Sequence, residues 1–200
     1  MKPKKIYIGI DPDLRKLNAA IVTDQMKPLA VFLRRNKEGK DDVAVTNAAF
    51  FACRLVQDVI AFVVAELDTF EEGCEIITIV ESQNMLHAKM MRDKGHKVDY
   101  EDLRRLSQTA GCLMAAFSNL STRMVLVQAI QWKGSVPKHV AHQRYYKKLG
   151  LEAVSGGVKN IYPLISPELT EWSVDKINPG DFMDINDSIG LALYGAENNL

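Results

Sequence analysis

The chain has 200 residues, 47% hydrophobic and 25% charged, with 25 basic and 25 acidic side chains and no formal net charge. That composition belongs to an ordinary globular protein with enough chain for one α/β domain and a sizeable core, and it argues against wholesale disorder. Zero net charge taken alone argues mildly against a nucleic-acid binder, whose affinity comes largely from neutralising phosphates.

The basic start "MKPKK" is followed by only a short apolar run that meets Asp11, which does not read as a signal peptide. Residues 6–10 (IYIGI) read as a short buried strand that ends on a carboxylate. Residues 18–23 and 30–33 follow at turn distance, separated by Asp24 and Lys27-Pro28, the pattern of an antiparallel meander. After a polar loop with Gly39, residues 46–67 carry Phe50, Cys53, Val56, Ile60, Val63, Val64 and Leu67 at helical spacing. Its most apolar part, "LVQDVIAFVVAEL", is interrupted by Gln57 and Asp58 and is too short to span a bilayer. Gly73 closes that region. Residues 75–81 (EIITIVE) are β-branched enough for a central strand, and again the strand ends on an acid.

Residues 84–98 hold Lys89, Arg92, Lys94 and Lys97 and read as a basic loop or frayed helix start. A second helix spans 100–120, with Leu103, Leu106, Ala110, Leu113 and Phe117 on one face; "RMVLVQ" is a further strand, and Lys138 to Lys148 a third helix. From Gln131 to Gly150 there is no Asp or Glu, while Lys133, Lys138, Arg144, Lys147 and Lys148 all fall there. Residues 151–180 are broken by glycines and prolines; long irregular segments of this kind are usually functional or mobile. "DINDSIGLALYGAEN" is the last helix. The order β-β-β-α-β-α-β-α, loop, α implies a single α/β domain over 1–200, with a mixed sheet flanked by helices.

In open α/β sheets, functional groups gather at the carboxyl ends of strands. Asp11 and Glu81 face one another if the first and fourth strands are parallel neighbours. Asp184 and Asp187 lie three apart and share a helix face. Helix capping accounts for one of that pair, but not for two strands that also finish on acids. Convergent carboxylates repel unless a hard cation compensates them, and oxygen-only donors suit Mg²⁺ or Mn²⁺. Two such ions roughly 4 Å apart activate a water and stabilise the leaving oxygen in phosphodiester hydrolysis.

Cys53, Cys74 and Cys112 form no CxxC pair and read as reduced thiols of a cytosolic compartment. His139 and His142 lack a third soft ligand and read as a solvated or DNA-facing pair. Trp132 reads as a core anchor. Tyr145 and Tyr146 fit stacking or packing equally, and Asp13 and Asp181 read as solvated turn residues.

"IGIDPDLRKLNAAIV", "IVESQ" and "DINDSIGLALYG" resemble, in order, the first, second and last motifs of the RuvC-type Holliday junction resolvases of the RNase H-like superfamily. "QTAG" and "AIQWKGSVPKHV" are similar to family stretches as well. The resemblance implies an RNase H-like fold: a three-strand antiparallel meander plus parallel strands in one mixed sheet, flanked by helices. It implies that Asp11, Glu81, Asp184 and Asp187 hold two Mg²⁺ ions, with Mn²⁺ able to substitute, and that Lys133 and Lys138 sit near the cleaved phosphate, where a lysine stabilises developing charge. It further implies a homodimer, with the 100–120 helix at its face, and symmetric hydrolysis of four-way or branched DNA in a bacterial or phage-infected cytoplasm, away from membranes. Met85, Lys89, Arg92, Lys94, Lys133, Lys138, Arg144 and Lys147 are the expected DNA contacts. The family often places an aromatic wedge three residues after the glutamate; here that position is Asn84, so the wedge is missing or moved to Met85. Segment 151–180 is longer than expected of a compact bacterial member and suggests a divergent, phage-type branch. Rival readings are another RNase H-like nuclease acting on RNA–DNA hybrids or flaps, and a catalytically silent junction-binding protein. An actin-like ATPase is disfavoured because no paired glycine-rich phosphate loop is present.

Overall fold

A computed structural model describes residues 1–13, 16–35, 42–82, 93, 99–148 and 179–200. Five strands form one sheet: β1 (Lys5–Pro12), β2 (Lys16–Thr23), β3 (Pro28–Arg35), β4 (Glu75–Ser82) and β5 (Arg123–Gln128). Their order is β3-β2-β1-β4-β5. The first three strands pair antiparallel, whereas β4 runs parallel to both β1 and β5. The meander and the parallel half expected from the sequence are therefore both present. The helices are α1 (Asp42–Ala65), α2 (Tyr100–Phe117), α3 (Ala129–Lys133), α4 (Lys138–Lys148) and α5 (Pro179–Asn198), with a 3₁₀ turn at Leu67–Thr69. No described helix is long and apolar enough to cross a membrane.

Alternation along the strands divides the core between the two faces of the sheet. Ile6, Ile8 and Ile10 of β1 pack with Leu55 and Val59 of α1 and with Leu113 and Phe117 of α2. Tyr7, with Ile77 and Ile79 of β4, faces the other way, onto Ile185, Ile189 and Ala192 of α5. The same parity carries Gly9 and Asp11 to the α5 side. Gly9 has to lack a side chain: a Cβ there would overlap the Ser188 carbonyl oxygen and the Ala192 amide nitrogen. This close approach presses the middle of α5 onto the strand that carries Asp11.

Several element bounds differ from the sequence reading by a few residues, and three differences concern the helices. Helix α1 starts four residues before position 46, at Asp42. The short α3 was not expected; it is tied by the Gln128 backbone N–H donating to Gln131 Oε1 at 2.7 Å, a capping arrangement that needs only two glutamines. Helix α5 begins at Pro179, five residues before Asp184, because proline is well accommodated in the first helical turn. Asp184 and Asp187 are thus past the first turn and do not serve as its caps. The irregular segment expected over 151–180 lies outside the described residues, except for its last two positions.

Gly9→Ala is expected to destabilise the fold by about 2 kcal/mol or more, because both obstructing atoms are backbone and cannot rotate away. Chemical denaturation of the two proteins measures it.

Candidate active site

The parallel register of β1 and β4 ends with Ile10 beside Val80, so the next residues, Asp11 and Glu81, stand side by side on the face covered by α5. Across the antiparallel pair, Asp11 is opposite Asn18 of β2. Its backbone N–H donates to Ser188 Oγ at 3.3 Å, fixing the strand end against α5. Asp187, one residue before Ser188, and Asp184, one helical turn earlier, complete the acidic group. Glu81 and Asp187 are buried, while Asp11 and Asp184 are partly exposed.

Each acid has a cation or a hydrogen-bond donor around it. Lys138 Nζ lies 2.6 Å from Asp187 Oδ2 and 3.6 Å from Asp184 Oδ1. Lys16 Nζ lies 2.6 Å from Asp184 Oδ2. Trp132 Nε1–H donates to Glu81 Oε2 at 2.9 Å. His142 Nε2 is 2.8 Å from Asp187 Oδ1, the tautomer with Nε2–H being the one a carboxylate accepts. Burial, then the charges of Glu81 and Asp187, push the Asp11 carboxyl well above its usual range; Lys138 opposes them. Burial also raises Glu81, against the opposing pull of Lys133 and the Trp132 hydrogen bond. Burial alone would lower Lys138, but the Asp187 hydrogen bond and the surrounding carboxylates outweigh it, so its ammonium is held above the ordinary value.

The sequence-predicted residues divide into three groups. Asp11, Glu81, Asp184, Asp187 and Lys138 come together, and Lys133 joins them electrostatically, its Nζ 4.8 Å from the centre of the Trp132 ring. Arg144, Lys147 and His139 are exposed on α4. Met85, Lys89, Arg92 and Lys94, with Asn84, lie outside the described residues. Two readings are corrected or resolved. His142 is neither solvated nor DNA-facing: it is 3% exposed because it shares the inward face of α4 with Ala141 and Tyr145, and it meets Asp187. Tyr145 packs rather than presenting itself to solvent; its ring stacks on Trp132 at 5.9 Å. Trp132 is buried, as its reading as a core anchor requires.

The donor set fits a hard divalent cation, since every acidic group offers oxygen. Asn18 supports the same fit: it is fully buried opposite Asp11, and neither side-chain polar atom has a hydrogen-bond partner among the described residues. A buried amide without partners is uncommon and suits a hydrated ion or its water. Among the described residues, no three carboxylate, imidazole or thiol groups form a ready-made cage. Glu81, Asp184 and Asp187 are turned instead onto Trp132, Lys16, Lys138 and His142.

The raised carboxyls make the stability of the metal-free fold depend on pH. In EDTA, the folded state holds protons on Asp11 and Glu81 more tightly than the unfolded chain does, so their contribution favours folding at low pH. It is lost as pH rises from the ordinary values of 3.8 and 4.5 through the raised ones. Asp11→Asn, which removes one buried charge, should raise the metal-free melting temperature at neutral pH and flatten its pH dependence, as read by calorimetry. An unchanged or lower melting temperature contradicts this electrostatic account.

No protein-family model matches the chain, and no curated protein matches it. Solved structures do. One is Thermus thermophilus RuvC in complex with a Holliday junction substrate, 13% identical over 96% of this chain and 92% of that one, with a TM-score of 0.57. Another is a Thermus thermophilus RuvC structure, also 13% identical, covering 97% of this chain and 96% of that one at a TM-score of 0.55. At such identity the likeness is one of architecture: the chain shares the RNase H-like fold of these RuvC structures.

Proposed function

We propose that this chain is a metal-dependent endodeoxyribonuclease that cuts Holliday junctions and related branched DNA, working as one nuclease domain over 1–200. The observation that carries the reading is the meeting of Asp11, Glu81, Asp184 and Asp187 around Lys138 on one face of the sheet. The fold likeness to a resolvase determined with its junction substrate supports it. Asp11, Glu81, Asp184 and Asp187 would hold two Mg²⁺ ions, with Mn²⁺ as a substitute. Bound there, such ions supply Lewis-acid activation of the phosphodiester and of the attacking water.

The chain's own groups contribute the rest. Asp11 and Glu81 project from paired strands, which keeps their separation stiff. Lys138 can transfer its charge from the Asp187 carboxylate to a phosphate oxygen as negative charge builds there. Lys133, next to Trp132, adds positive charge on the Glu81 side. Arg144 and Lys147 project from α4 into solvent and serve as backbone contacts, which carry register but little sequence information. The products would be 5′-phosphate and 3′-hydroxyl ends. Symmetric cutting requires two sites, so the working form would be a two-fold homodimer. Helix α2 buries Thr109, Ala110, Leu113 and Phe117 against the core and leaves Arg104, Ser107, Gln108 and Gly111 exposed for such a contact.

The test is cleavage of a labelled four-way junction beside matched duplex and RNA–DNA hybrid, with Mg²⁺, Mn²⁺ or EDTA. Symmetric nicking of the junction alone, abolished by EDTA and by Asp11→Asn, is expected. Cutting of the hybrid instead would make this a ribonuclease of the same fold, and binding without cleavage would make it a junction-binding protein. Lys138→Ala should lower the cleavage rate about 100-fold, the scale of a lost transition-state donor. Raising salt should weaken junction binding steeply, and Arg144→Ala should make that dependence shallower.

A further inference from the structure

We propose that Trp132 and His142 are positioning residues of the acidic site, orienting Glu81 and Asp187 for a divalent cation. The inference rests on the metal-site reading above and adds two residues to it. Glu81 and Asp187 come from different elements, a strand and a helix, and nothing in the backbone ties their side-chain rotamers to one another. The α3–α4 segment does. Trp132 Nε1 donates to one Glu81 oxygen at 2.9 Å, and His142 Nε2 meets one Asp187 oxygen at 2.8 Å. Each ring engages a single oxygen of its carboxylate. On Asp187 the second oxygen is matched to Lys138, a flexible side chain 36% exposed and able to move aside.

The two donors are themselves held. Trp132 and His142 are 7% and 3% exposed. Tyr145 stacks on Trp132, with 30° between the ring planes, and its hydroxyl donates to the Trp132 carbonyl at 3.2 Å. The His142 and Tyr145 ring centres are 6.4 Å apart. Helix α5 leaves room for this aromatic bracket at Gly190, where a Cβ would overlap carbons of both the Trp132 and Tyr145 rings. The three rings, none with more than two side-chain torsions to freeze, thus lock two carboxylates from one short segment. Lys133 and Lys138 belong to the same segment, so whatever fixes it aligns the cationic groups with the acids. Hydrogen-bonded partners of metal ligands set ligand orientation in this way, and losing one typically weakens metal binding about 10- to 100-fold.

Calorimetric titration of the full chain with Mn²⁺ tests the idea without relying on cleavage. Trp132→Phe keeps an aromatic body and deletes the N–H; His142→Leu deletes the imidazole; His142→Gln returns a donor near the Nε2 position. The first two should bind Mn²⁺ at least tenfold more weakly with circular dichroism unchanged, and His142→Gln should recover most of the loss. Folded Trp132→Phe and His142→Leu proteins that bind Mn²⁺ as the parent does would overturn the proposal. If either variant fails to fold, the Trp172→Phe protein, whose only tryptophan is Trp132, provides a second measurement. Its emission should change on Mg²⁺ addition, and Glu81→Gln should remove the change; constant emission at saturating Mg²⁺ overturns the proposal. Should the parent and Asp11→Asn titrate alike, the metal site itself is refuted and the positioning role falls with it.

Discussion

Asp11 and Glu81, on one sheet face, are brought against Asp187 of the helix that covers it, where ionised carboxylates lose solvation and repel one another. Protonation of the carboxyls, nearby positive charge or donated hydrogen bonds make that arrangement tolerable. The surrounding residues meet the demand: Lys138 lies between Asp184 and Asp187, Lys16 pairs with Asp184, and two ring donors each take one carboxylate oxygen. A fold concerned with stability alone would place apolar side chains there, as it does a few residues away along the same strands. That concentration of negative charge is the observation on which the proposed cation site rests.

The scaffold enforces this concentration through close backbone approach. Gly9 lets α5 settle directly on β1, Ser188 receives the Asp11 backbone N–H, and Gly190 admits the aromatic rings of the α3–α4 segment. The two glycines lie on opposite partners, one under α5 and one within it, so the helix is clamped between the sheet and the aromatic bracket. Position along α5 is then set within a narrow range, and with it the placement of Asp184 and Asp187 relative to the strand-borne acids. Rigid support of this kind is what the proposed phosphodiester cleavage would require.

Much of this was legible in the sequence because it rests on local signals. Strands finishing on Asp11 and Glu81 stand out against their β-branched neighbours, and the three-residue spacing of Asp184 and Asp187 survives any uncertainty about where α5 begins. What was not legible depends on tertiary geometry. The tie between Lys16 and Asp184 joins residues 168 positions apart, and nothing near either announces it. Trp132 was readable as a core residue, but the target of its N–H was not. His142 was misread because α4 is dominated by charged and polar residues, which masks its inward face. Lys138, Ala141, His142 and Tyr145 do fall at i, i+3, i+4 and i+7, and that spacing was the available signal. The buried, partnerless Asn18 could be recognised only once β2 was paired with β1.

The central claim is that the four carboxylates form a divalent-cation site, and anomalous diffraction from crystals grown with Mn²⁺ tests it most directly. The account predicts manganese coordinated by Asp11 together with Glu81 or Asp187, and Lys138 displaced from the Asp187 oxygen it now holds. Manganese bound elsewhere, with the Lys138–Asp187 and Lys16–Asp184 pairs intact and Asp11 uncoordinated, would contradict it.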